Sequence, residues 1–180
     1  MQVNCFEPVI DKECKVLILG SVPSVVSREV NFYYGNPTNR FWKILSEILS
    51  VDFIAMSNAE KTAELLRKHI ALYDVFSCCE IKGSMDSDIK NARLNDIPSL
   101  IRGTNIKTIY ITSKKAFAAF VKRFGEYFER AGVKIINLPS TSSANRSRYK
   151  TDAALFAEWK RLFIVKTDLF FSVYPLVIIE

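Results

Sequence analysis

Four short apolar runs punctuate the chain. They are "KVLILGSV" (Lys15–Val22), "IALYDVF" (Ile70–Phe76), "IKTIYIT" (Ile106–Thr112) and "VKIINLPS" (Val133–Ser140). Runs of this length suit strands covered on both faces, as in a parallel sheet. Between them lie segments with helical spacing. Thr38 is placed to cap a helix through "NRFWKILSEILS". Ser57 precedes "NAEKTAELLRKH", with Glu60 completing a capping box. "NDIPSLIRG" reads as a short helix stopped by Gly103, and "SKKAFAAFVKRFGEYFERAG" as a long amphipathic one closed by Gly132. "TDAALFAEWKRLF" is the last helix. Strands alternating with helices predict an α/β sandwich around a four-stranded, mainly parallel sheet. In such sheets ligands bind beyond the carboxyl ends of the strands. Those ends are Gly20–Ser24, Asp74–Ser77, Thr112–Lys114 and Pro139–Asn145.

Length adds that 180 residues suit one domain, 1–180, with one sizeable core. The net charge of +6 favours a polyanionic partner, nucleic acid first, without requiring one. The four cysteines (Cys5, Cys14, Cys78, Cys79) include no CxxC pair, so zinc-finger spacing is absent and reduced thiols are expected. No signal-peptide pattern opens the chain. The apolar stretch "LFFSVYPLVII" is too short to span a bilayer and is interrupted by Pro175. It reads as a strand or an extension packed on the domain, and no membrane association is expected.

Several chemistries drop out. No two glycines have GxG spacing and no GxxxxGK[ST] occurs, which removes the dinucleotide and P-loop fingerprints. The single histidine, His69, reads as a plain helix residue, and no GxSxG elbow accompanies it. The HxE and PCxxC of zinc deaminases are missing.

What remains are polar loops at the strand ends. "LPSTSSANRSR" (Leu138–Arg148) offers hydroxyl, amide and guanidinium donors. It reads equally as a phosphate-binding loop or a polar surface loop. "GSVPS" (Gly20–Ser24) is a tight turn whose N–H groups either face a ligand or simply close the turn. In "YYGNPTNRFW" (Tyr33–Trp42), Phe41 and Trp42 are expected in the core. Tyr34, in a loop before Gly35 and Pro37, is the better candidate to stack on a flat ligand. Asn39 is either a helix-cap companion or a catalytic amide. Asp74 is expected to bond the next loop's backbone rather than enter the site, and Asp86 and Asp88 to be turn or cap residues.

Taken in order, "GSVP", "YYGNPTNRFW", "DVFSCCEIKGSMDSDI" and "LPSTSSAN" resemble the uracil-DNA glycosylase superfamily, closest to its hypoxanthine-DNA glycosylase branch. The "NPTNRFW" segment is also similar to the mismatch-specific uracil/thymine glycosylases. The resemblance spans about Lys15 to Phe163; the tail from Lys166 has no counterpart in it.

The resemblance implies a three-layer α/β/α sandwich and a monofunctional DNA glycosylase without metal or redox cofactor. Its substrate is damaged double-stranded DNA, from which a deaminated base is flipped and excised in base excision repair. Hypoxanthine is favoured; uracil opposite guanine, or noncatalytic lesion binding, is the alternative. A monomer in the bacterial or archaeal cytosol, with the nucleoid, is expected. Position by position, the first motif (Gly20, Ser21, Val22, Pro23, Ser24) lies against base and sugar, and Tyr34 stacks on the base. The uracil-specific relatives' catalytic Asp or Asn in that motif is matched here by Val22, as in the hypoxanthine branch, whose catalytic amide is assigned to the asparagine that Asn39 matches. The second motif (Ser140, Thr141, Ser142, Ser143, Ala144, Asn145, Arg146), with Arg148 beside it, holds the DNA backbone. Ser24 and Ser143 stand where the family usually has Gly and Pro.

Overall fold

A computed structural model describes residues 2–81 and 88–164. The four apolar runs form strands β2 (Val16–Gly20), β3 (Ile70–Asp74), β6 (Thr108–Ile111) and β7 (Lys134–Asn137). They make one sheet in the order β3-β2-β6-β7, parallel at every pairing. Alternate residues of β2 feed opposite cores. Leu17 and Leu19 pack with Phe120, Phe124 and Phe128 of helix α5 (Lys114–Arg130). Val16 and Ile18 pack with Phe41, Trp42 and Leu45 of α2 (Phe41–Leu49), Leu65 of α3 (Asn58–Arg67) and Trp159 of α6 (Asp152–Ile164). Both faces of the sheet are therefore covered, and the three-layer α/β/α sandwich expected from the sequence is present.

The caps are mostly as the sequence reads. Ser57 and Glu60 form a reciprocal capping box on α3. Gly132 closes α5 with φ +67°, a left-handed turn that glycine enters without penalty. Thr38 does not cap α2. The helix begins three residues later, and Asn39 Oδ1 accepts the Phe41 N–H at 3.0 Å. Thr38 instead donates its N–H to Asn36 Oδ1 in a local turn at 2.9 Å. His69 is not helical either; it sits past the end of α3 with φ +58°, and its backbone carbonyl receives the N–H of Lys15.

A second sheet was not anticipated. It is antiparallel, in the order β1-β4-β5, from β1 (Gln2–Asn4), β4 (Phe76–Glu80) and β5 (Lys90–Leu94). The run "IALYDVF" thus divides at Asp74. Its first part belongs to the parallel sheet, and its last residue starts β4. Val75 and Phe76 donate their N–H groups to the carbonyls of Gly20 and Ser21, at 3.0 and 3.1 Å. The turn that leaves the parallel sheet is thereby stitched to the first polar loop. A short helix α1 (Val25–Glu29) follows that loop, and α4 (Ile97–Leu100), capped by Asp96, precedes β6. The apolar tail 166–180 and Asp86 lie outside the described residues.

Candidate active site

A cleft of about 510 Å³ opens beyond the carboxyl ends of the parallel strands. That volume accommodates a nucleobase with its sugar. Loops far apart in sequence converge on it: Gly20–Ser24, Tyr34, Asn39, Asp74, Thr112–Lys114 and Asn137–Ser142, with Ala144, Asn145 and Arg148. Of the residues expected to contact base, sugar or DNA backbone, only Ser143 and Arg146 are not part of its lining.

The first wall grows out of β2. Ser24 accepts the Ser27 N–H and caps α1, and the buried Ser27 hydroxyl receives the Gly35 N–H at 3.1 Å. Ser27 thereby ties the first motif to the loop that carries Tyr34. Val22 packs against the α5-side core. Pro23 lacks an N–H, so the backbone donors of this motif are confined to its other residues.

Tyr34 adopts φ +50°, a conformation costly for a tyrosine, and its surroundings hold it there. Its ring stacks on Phe41 with centroids 3.7 Å apart and planes 9° from parallel. Thr112 donates to Leu19 O, so its hydroxyl oxygen accepts from Tyr34 OH at 3.0 Å. One ring face is therefore spent on Phe41. Phe41 and Trp42 are buried as expected, and so is Tyr33, whose OH reaches Glu7 O at 2.9 Å.

Asn39 fills the first of the two roles left open by its sequence. Its Oδ1 caps α2, which fixes the amide orientation, because only the oxygen can accept an N–H. Its Nδ2 group makes no hydrogen bond among the described residues and stands at the cleft.

The opposite wall is the loop Ser140–Arg148, and Arg40 suspends it. Arg40 is 3% exposed. Its guanidinium donates to the carbonyls of Tyr149 (3.1 Å) and Ser142 (3.3 Å), while its backbone N–H bonds Thr141 O at 3.0 Å. Burial holds the Arg40 pKa below its usual value; the nearby Arg146 adds to this and Asp152, 3.7 Å away, opposes it. Within the loop, Asn145 donates to Ser140 O at 2.8 Å, and Ser142 caps a 3₁₀ turn over Ser143–Ser147. Thr38 donates to Ser143 Oγ at 3.2 Å, a second tie between the Asn39 segment and this loop. Arg146 and Arg148 are exposed. Lys114, at the start of α5, adds a cation the sequence reading passed over, although its strand end had been marked.

Asp74 departs from expectation. Its carboxyl does not serve the next loop's backbone; Asn95, which follows β5, bonds the Asp74 carbonyl instead, at 2.8 Å. Its Oδ2 is buried with no hydrogen-bond partner. Burial alone pushes its pKa up to about 7.

Polar loops gathered over parallel strand ends make a ligand site there, and comparison with known proteins gives its class. A family model for the uracil DNA glycosylase superfamily matches residues 7–163. The chain belongs to that superfamily, and with it to the hydrolases of the N-glycosidic bond of DNA. It is 33% identical to the hypoxanthine DNA glycosylase of Methanosarcina barkeri over 163 residues, 88% of this chain and 98% of that protein. It is likewise 33% identical to the hypoxanthine DNA glycosylase of Methanosarcina acetivorans, over 88% of this chain and 96% of that one. The solution NMR structure of a candidate uracil DNA glycosylase from Methanosarcina acetivorans superposes with a TM-score of 0.73 at 30% identity. It covers 91% of this chain and 99% of its own.

Proposed function

We propose that this protein excises hypoxanthine from damaged duplex DNA as a monomeric enzyme, by hydrolysing the bond between base and deoxyribose. The observation that carries the reading is the cleft itself, which sets the Tyr34 ring, the Asn39 amide and the first-motif backbone around one base-sized space at the strand ends. The names of the two Methanosarcina relatives support hypoxanthine as the base.

Cleavage separates charge: the sugar becomes oxocarbenium-like and the base departs as an anion. Backbone N–H groups of Ser21, Val22 and Ser24 are assigned to the developing charge on the base, where one preorganised donor contributes about 3–4 kcal/mol. Asn39 is neutral and cannot remove a proton. It orients water or base through the Nδ2 group that its capping bond leaves over. Tyr34 supplies a stacking surface, worth about 1–3 kcal/mol per base. Flipping costs a few kcal/mol and is cheapest for a mispaired base, which adds selectivity. Ser140, Thr141 and Ser142 hold the backbone while Arg146 and Arg148 offset phosphate charge.

The test is a panel of duplexes carrying inosine, uracil or thymine opposite each base, treated with alkali after incubation. Strand breaks at inosine are expected to be fastest. No break from any lesion would sink the glycosylase reading, and faster breaks at uracil would move the substrate to the second superfamily base.

A further inference from the structure

We propose that Thr112 is the positioning residue of the Tyr34 ring: its hydroxyl sets how the ring lies within its own plane, and so where a base stacked on that ring meets Asn39 and the first motif. The inference rests on the glycosylase reading above and deepens it, adding a residue that acts through another.

The stack on Phe41 does not hold Tyr34 by itself. Ring pairs prefer to tilt or slide apart, with centroids about 4.5–7 Å from each other. Here the planes are 9° from parallel and the centroids only 3.7 Å apart, close to full overlap. The backbone beneath is also in a costly conformation, φ +50°. A side chain so placed needs a further restraint. Thr112 supplies one at the far end of the ring, where its Oγ1 accepts from Tyr34 OH at 3.0 Å.

Thr112 is built for that task. It directly follows β6 and is 5% exposed, so it is anchored in the sheet rather than in a loop. Its branched Cβ stiffens χ1. Its hydroxyl donates to Leu19 O at 3.3 Å, which turns its lone pairs toward the phenol. The same carbonyl already receives the Thr112 N–H at 3.0 Å. The tie between β6 and β2 therefore survives without the hydroxyl, and the ring is the partner that depends on it. A ring free to slide carries its stacked base with it, and a shift of about 1 Å in a reacting group costs up to about 100-fold in rate.

Thr112→Val keeps the shape and removes the hydroxyl. Single-turnover excision of hypoxanthine from an inosine duplex is expected to slow about tenfold, with duplex affinity and melting temperature near those of wild type. Thr112→Ser keeps the hydroxyl on a looser χ1 and should stay within about threefold of wild type. Tyr34→Phe removes the other end of the same bond. It should slow excision as much as Thr112→Val does, and the double variant should be no slower than either single one. Losses that multiply to about 100-fold in the double variant would show two independent hydroxyls and overturn the proposal. So would a wild-type rate in Thr112→Val, or a Thr112→Ser as slow as Thr112→Val with a lowered melting temperature, the mark of a merely structural role. Should wild type cleave no lesion, the glycosylase reading falls alone, and binding of free hypoxanthine decides Thr112. Equal, non-additive weakening in Thr112→Val, Tyr34→Phe and the double variant upholds the role; indifference to them, or no binding at all, ends it.

Discussion

The wall made by Gly20, Tyr34 and Asp74 grows directly out of the core, whereas the wall made by Ser140–Arg148 hangs from it. In the first, strand pairing and ring stacking hold each side chain, and the carboxyl at its foot is dry. In the second, a 3₁₀ turn with exposed arginines is held by one buried guanidinium that reaches over a hundred residues along the chain. The difference matches the tasks proposed for the two walls. Base reading needs fixed groups in a low dielectric, where each hydrogen bond discriminates most. Grip on a phosphate backbone needs charge and reach, and tolerates water and salt. Asn39 lies between the two, its oxygen in the helix cap of the rigid side and its nitrogen at the open space.

Breaking that division should give graded effects. Asn39→Ala is expected to slow excision by two to three orders of magnitude, about 3–4 kcal/mol, with duplex binding retained. Single-turnover kinetics beside a binding isotherm would check it, and surviving activity would refute the assignment. Arg40→Ala should be the largest blow to the hung wall. It leaves backbone carbonyls and Asp152 without their buried partner and should cost about 3 kcal/mol of unfolding free energy. Denaturant titration reads the loss, and a variant as stable as wild type would show that the loop holds itself.

Asp74→Asn should do the opposite and stabilise. The carboxyl's pKa is raised from 3.8 to about 7, so its contribution to stability is intact below 3.8 and is lost as pH rises through about 7. The variant should exceed wild type by about 2 kcal/mol at pH 8, and the gap should close toward pH 4. Thermal melts across that range measure it; a gap independent of pH would mean the carboxyl is not dry. The smallest effect is expected at the rim. Arg148→Ala should weaken binding evenly across sequences and lower the slope of log affinity against log salt by about 1.

Much of the scaffold was legible in the chain. Strands buried on both faces must be apolar along their length, so the four runs marked β2, β3, β6 and β7 and the loops at their carboxyl ends. The β1-β4-β5 sheet was not legible. Lys90–Leu94 reads "KNARL", almost wholly exposed, with no apolar run to betray it. Thr38 and Asn39 both carry capping oxygens, and only the backbone path after Pro37 chose between them. Asp74 at a strand end looks the same in sequence whether its carboxyl is paired or bare.

What the chain determined by itself is therefore local: apolar runs, caps, and the motif spacing that marks the superfamily. These follow from burial and backbone chemistry within a few residues. Only the tertiary structure decided that Gly20 faces Asp74, that Arg40 carries the Ser140–Arg148 loop, and that Tyr34 spends one face on Phe41. Parallel pairing and side-chain reach join segments through space, and such contacts leave no periodic trace along the chain.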